Sequence, residues 1–248
     1  MKLAQKPRII LGTCVLFVLA CCSPAAIKTQ IDDPVEPVNR VVHKVNRGLD
    51  KVVVRPVSKV YGVVPQFARS GISNFASNLR IPGIIVNDVI QVSFLDAASN
   101  SARFIVNTTV GIGGLFDPAS RIGLSERSTD FGETLHIWGV NEGAYVELPV
   151  FGPSTVRDAA GRIVDFATNP LNVLILPKPD PKLMTTVTTL KLLDQRGRFS
   201  ELIDSIYYES EDSYSQAKSL YLQRRRNFLR TNESEEYFDP YIDVYGSN

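Results

Sequence analysis

The sequence predicts a mainly α single domain with one short extended or hairpin segment near 144–151. Three observations carry that prediction. Apolar residues recur at helical spacing through most of the 248 residues. Only residues 144–151 (AYVELPVF) read as a strand, and Pro149 makes it an edge. Beyond the first 20 residues, no stretch reaches the ~18 consecutive apolar residues of a spanning helix.

The chain opens with Lys2, Lys6 and Arg8 ahead of an apolar run over residues 9–20. That run is too short to cross a bilayer, so residues 1–20 read as an export signal. It leads into Leu19-Ala20-Cys21-Cys22, which resembles a bacterial lipobox. Cys21, with Ala20 before it, fits best as the acylated mature N-terminus, and Cys22 is the poorer frame. A plain secretory signal is the bland alternative. Two acyl chains give stable anchoring where one does not. No aspartate directly follows Cys21, which by resemblance to Gram-negative lipoproteins favours the outer membrane over the inner one.

Residues 21–31 form a tether, residues 32–230 the helical domain, and residues 231–248 an acidic, polar tail expected to fray. Within the domain, a helix begins near Pro37, well placed for a first turn. Val38, Val41, Val42, Val45, Leu49 and Val52 share one face, and Arg40, Lys44, Arg47 and Lys51 another. The plain reading is a core face opposite a solvated face; the sharper one is a basic amphipathic helix at a membrane surface. Phe67, Ile72, Phe75 and Leu79 continue the pattern after Pro65, and Ile81-Pro82-Gly83 interrupts it. Residues 84–95 are apolar around much of the circumference, as in a helix buried in protein or lipid. Residues 96–110 give another helix, ending at Gly111.

Gly111-Ile112-Gly113-Gly114 is not a phosphate loop, because Phe116 stands where a dinucleotide fingerprint needs glycine and no Gly-Lys-Ser/Thr follows. It reads as a tight turn or a close helix approach. Asp117-Pro118 starts a short helix. Residues 130–138 form another, with Thr129 as candidate N-cap. Gly139-Val140-Asn141-Glu142-Gly143 is a flexible turn. Gly152-Pro153 ends the strand, and Thr155 with Asp158 caps a helix to about Phe166. Residues 168–176 form a loop with an apolar knot. Residues 182–193 are helical, Arg196–Arg198 turns the chain, and residues 199–230 form one helix or two.

Composition excludes several functions. Apolar residues make up 44%, enough for a sizeable core, and the net charge is +1; removing the three leader cations leaves about −2. That balance argues against nucleic-acid binding. Cys14, Cys21 and Cys22 are the three cysteines, so the body holds no disulfide, Cys-based metal site or nucleophilic thiol. His43 and His136 are the two histidines, too few for a His-rich metal site. Ser154 is not a hydrolase elbow, since Val156 replaces its glycine. No catalytic set, metal or cofactor is expected. Residues 102–158 are apolar and glycine-rich, a surface for contact with something greasy. Acylated and without a spanning helix, the protein is expected on or within one membrane leaflet.

Several blocks, in order, carry a resemblance. They are Asp33-Pro34-Val35-Glu36-Pro37-Val38-Asn39-Arg40, Arg55-Pro56-Val57, and Val64 through Phe75. Arg103-Phe104-Ile105-Val106-Asn107 follows, running on through Gly111, Gly113 and Gly114 to Asp117. Phe131 through Val140, Tyr145 through Pro149 and Gly152 through Asp158 complete them. Over residues 32–230 the chain resembles the MlaA/VacJ family of outer-membrane phospholipid-transport lipoproteins.

The resemblance implies a ring-like domain of amphipathic and interfacial helices in the inner leaflet of the outer membrane, with an amphipathic channel. It implies removal of mislocalised phospholipid from the outer leaflet, delivery to a soluble periplasmic carrier, and contact with trimeric porins. Gly139, Asn141 and Gly143 match the family's hinge loop, with Asn141 where a third glycine is common. Asn39, Arg40, Asn107, Gly111, Gly113, Gly114 and Asp117 are the structural motif residues. A porin-scaffolding lipoprotein and a membrane-surface hydrolase are the other classes of function to weigh.

Overall fold

The computed structural model describes residues 33–169 and 181–233. The leader, both candidate acylation sites, most of the apolar knot near 168–176 and most of the acidic tail lie outside those residues. Helix α1 (Glu36–Leu49) runs through a wide π-helical turn (Asp50–Val54) into α2 (Arg55–Tyr61). The wide turn has a local cause. Pro56 has no N–H to donate, and its ring clashes with the carbonyl four residues back in a regular helix, so the turn before it opens.

Pro65 precedes α3 (Gln66–Asn78). Ile81-Pro82-Gly83, expected to interrupt a helix, instead starts one: α4 (Ile81–Ile90) has proline in its first turn, where no N–H is needed. Helix α5 (Phe94–Thr109) and a short α6 (Pro118–Arg121) follow. Helix α7 (Phe131–Ile137) is capped by Asp130, not Thr129: the Asp130 carboxylate accepts from Glu133 N at 2.8 Å. Thr129 instead donates to the Glu133 carboxylate at 2.7 Å.

The extended segment is a hairpin of β1 (Tyr145–Leu148) and β2 (Gly152–Thr155), antiparallel with Tyr145 opposite Thr155. Gly152-Pro153 therefore opens a second strand instead of ending the first. Val150 in the turn has φ +69°, a conformation β-branched residues avoid. Its N–H donates to the Asn46 side chain at 2.8 Å, which helps hold it there. Thr155 caps α8 (Val156–Thr168), accepting from Asp158 N as its spacing implied. Helix α9 (Pro181–Arg198) continues through Arg196–Arg198, where a turn was expected. The reason is Arg196: its buried guanidinium holds Asp50 at 2.8 and 2.9 Å and Asp204 at 2.6 Å, fixing the helix end against two other segments. Helix α10 (Ser200–Asp204), a second π turn (Ser205–Glu209) and α11 (Ser213–Glu233) complete the chain.

The packing closes on itself. Helix α1 lies against β1, β1 pairs β2, and β2 meets α8. Helix α8 packs on α7, α7 on α4, α4 on α5, α5 on α3 and α3 on α9. From α9 the contacts pass to α2 and through the π turn back to α1, while α11 braces β2 and the second π turn. The result is a ring of helices closed by a hairpin.

The ring is inverted relative to a water-soluble domain. Among the described residues, 11 apolar and 22 polar or charged side chains are buried. Large apolar side chains stand outside in every arc. Val38, Val41 and Val45 of α1 are 60–62% exposed, so the face that periodicity offers as core points outward. What α1 buries is Asn39, His43 and Asn46, and the π turn that follows continues the stripe with Asp50.

Candidate functional site

The candidate site is this polar interior. Asn39 and Asn46 stand two turns apart on α1 and serve the open edge of β1 as a third strand would. The Asn39 amide donates to Tyr145 O at 3.1 Å and accepts from Glu147 N at 2.9 Å. Asn46 donates to Leu148 O at 2.9 Å. Between them, His43 reaches Glu147 through Nδ1 (3.3 Å) and Ser213 through Nε2 (3.1 Å). Buried backbone groups need such partners. Arg40, expected in a solvated stripe, clamps Asp212 at 2.9–3.1 Å and covers the Tyr214 ring at 4.5 Å.

A second set lines α4, α5 and α7. Asn87 donates to Asp165 at 2.8 Å, and Gln91 to Thr129 and Thr134 at 2.7 and 2.8 Å. Asn100 donates to Asp88 at 2.8 Å and to Arg127 O at 2.9 Å. Burial pushes the Asp88 carboxyl up to about 6; the Asn100 bond opposes this, and the Asp96 and Glu133 charges reinforce it.

Asn107, Gly111, Gly113, Gly114 and Asp117 come together at the end of α5. Asn107 donates to Asp117 at 2.9 Å and accepts from Ala119 N at 3.1 Å. Arg103 spans both Asp117 oxygens at 3.2 Å and also donates to Leu124 O. Burial raises the Asp117 carboxyl, but bonds from Ser120 and Asn107 and the Arg103 charge outweigh it, and the net shift is downward. A Cβ on Gly111 would sit 2.4 Å from Asn107 O, and one on Gly114 2.6 Å from Asn78. Those two glycines allow a close approach; Gly113 needs only its φ of +69°.

The 139–143 loop stands apart from these clusters. Gly139 (φ +81°) has no neighbour within 4 Å of where a Cβ would stand, and Asn141 is exposed. Gly143 (φ +71°) faces Val156 at 3.2 Å. Glu142 ties the middle of the loop to Arg226 at 2.8 Å. Behind it, Arg225 bridges Asp130 at 2.7 and 2.8 Å and Asp158 at 3.1 Å. Among the described residues no group of three or more His, Cys, Asp or Glu is placed to hold a metal, and no helix is long and apolar enough to cross a membrane.

Polar inside, apolar outside and closed as a ring, the fold defines a class: helical proteins whose outer face is built for lipid. The comparisons agree. Residues 31–228 match the MlaA lipoprotein family model. The intermembrane phospholipid transport system lipoproteins MlaA of Shigella flexneri and Escherichia coli are each 34% identical over 219 residues, 86% of this chain and 84% of theirs. The Haemophilus influenzae MlaA is 34% identical over 140 residues, 55% of this chain and 56% of that one. A solved structure described as the structural basis for maintenance of bacterial outer membrane lipid asymmetry superposes with TM-score 0.66 at 32% identity, covering 80% of this chain and 99% of that one. The chain belongs to the MlaA lipoprotein family.

Proposed function

We propose that the protein is an outer-membrane lipoprotein, acylated at Cys21, that removes mislocalised phospholipid from the outer leaflet through an amphipathic channel. It passes the lipid to a soluble periplasmic carrier and works beside trimeric porins, maintaining lipid asymmetry. The observation that carries this reading is the inverted ring. A lipid crossing a leaflet needs polar groups for its head, because burying a charge without partners is costly. The exposed valines of α1 and the exposed Trp138 suit a face set in acyl chains. Transport breaks no bond, so it needs no catalytic group.

The 139–143 loop is assigned as the hinge. Positive φ at Gly139 and Gly143 and the open space beside Gly139 support it, with Glu142–Arg226 as the latch. The test reconstitutes the protein with a labelled phospholipid and an acceptor carrier. Bound lipid in detergent extracts and time-dependent transfer are expected, with faster transfer in Glu142→Gln. A protein that stays with porins but neither binds nor passes lipid would be a scaffold, and the proposal would fall.

A further inference from the structure

A cleft of about 350 Å³ opens between α2, α9 and α10, away from the hinge loop. Its volume is at the small end of ligand pockets, ~300–1,000 Å³, room for a head group and not for two acyl chains. Five cationic side chains line it: Arg55, Lys59, Arg69, Arg196 and Arg198. The carboxylates beside them are Asp194 and Asp204, with Asp50 behind on Arg196. Five cations against three carboxylates leave an excess of two positive charges. Lys59 is exposed and pairs with no described residue, and Arg198 is half exposed while bound to Asp194 at 2.6 Å.

Two buried polar atoms at this cleft, the Tyr61 hydroxyl and Arg55 Nε, have no hydrogen-bond partner. Buried polar groups are usually matched, so both donors are open to a ligand's acceptor oxygens. One edge is apolar: Phe199, between Arg198 and Ser200 of the lining, and Leu202, between Ser200 and Asp204, are both exposed. A free anion gains nothing from that edge, whereas a molecule with an anionic head and apolar tails fits both parts.

We propose that this cleft binds the phosphodiester head of a phospholipid, its chains leaving over Phe199 and Leu202. The inference rests on the phospholipid-handling reading above and adds a place where the head is held. The test titrates dihexanoyl-phosphatidylglycerol into full-length protein in detergent by calorimetry. Lys59→Gln and Arg198→Gln together are expected to raise Kd about tenfold, the loss of two charged contacts to a phosphate. Lys59→Gln alone, at an unpaired exposed position, gives a smaller rise with folding untouched. Inorganic phosphate and dihexanoylglycerol are each expected to bind at least about tenfold more weakly than the lipid that combines them. An unchanged Kd in both variants, with lipid still bound, would place the head elsewhere and leave the transport reading intact. Phosphate binding as tightly as the lipid would make this an anion site only and overturn the lipid assignment. Wild-type protein that binds no phospholipid would sink the inference and the transport reading together.

Discussion

Asp88→Asn is predicted to stabilise the protein at pH 8. Asp88 is 2% exposed, and its carboxyl sits near 6 against an ordinary 3.8. A shift of about two units corresponds to roughly 3 kcal/mol at ~1.36 kcal/mol per unit. The sign follows from proton counting. Between pH 4 and 6 the folded state holds a proton that the unfolded state releases, so stability falls as pH rises through this window. Above it, wild type carries the full penalty of a buried carboxylate beside Asp96 and Glu133. Asparagine keeps an acceptor for Asn100 and removes the charge. At roughly 2–4 °C per kcal/mol for a chain of this size, Tm at pH 8 should rise by up to ~10 °C. Near pH 4 the two proteins should melt together. Thermal melts followed by circular dichroism across pH 4–8 read this directly. An equal Tm difference at both ends of the range, or a variant less stable at pH 8, would refute the electrostatic argument.

Other outcomes follow from the same structure. Arg225→Leu takes from Asp130 its cation and from buried Asp158 one of two, the other being Arg157 at 3.3 Å, and should cost about 1–3 kcal/mol, measured by chemical denaturation. Gly114→Ala drives a methyl to within 2.6 Å of Asn78 at φ +95°, so a loss of about 1–3 kcal/mol is expected; a neutral result would mean the turn yields freely. Cys21→Ser should abolish acylation in mass spectra of the mature protein, and a lipid found on Cys22 would move the cleavage frame. Proline at Gly143 is a poor probe of the hinge, because φ +71° is closed to it and general misfolding is the expected result.

The helices were largely legible because periodicity and proline placement are local signals. The orientation of their faces was not. On α1 the spacing of Val38, Val41 and Val45 and that of Asn39, His43 and Asn46 are equally helical, and a period alone cannot say which stripe meets its own protein. The polar stripe is visible in the sequence; that it faces the protein is set by Tyr145 and Ser213, 106 residues on from Asn39 and 170 from His43. Strand β2 was missed because Gly152-Pro153 reads as a terminator, and its pairing with β1 comes from the turn at Val150. Helix α9 passes through Arg196–Arg198 because of Asp50 and Asp204, and Asp50 lies 146 residues away. The motif residues Asn107 and Asp117 do meet, as their spacing allowed. The Arg55–Arg198 cleft draws on segments too distant for any motif to announce.

The way the ring closes also bears on the order in which it forms. Asn39 bonds Tyr145, 106 residues on, and Lys218 holds Asp33 at 2.6 Å across 185 residues. Joining points so far apart costs entropy, and these contacts cannot form until the hairpin and the last helix are present. A chain emerging from its N-terminus first has α1 waiting, its valines bare, until the hairpin and α11 arrive. Until then the outward apolar side chains of each arc are also free to meet one another. The newly made protein should therefore need either an escort or an early landing on the membrane, and its refolding from urea should be slow unless lipid or detergent is present from the start.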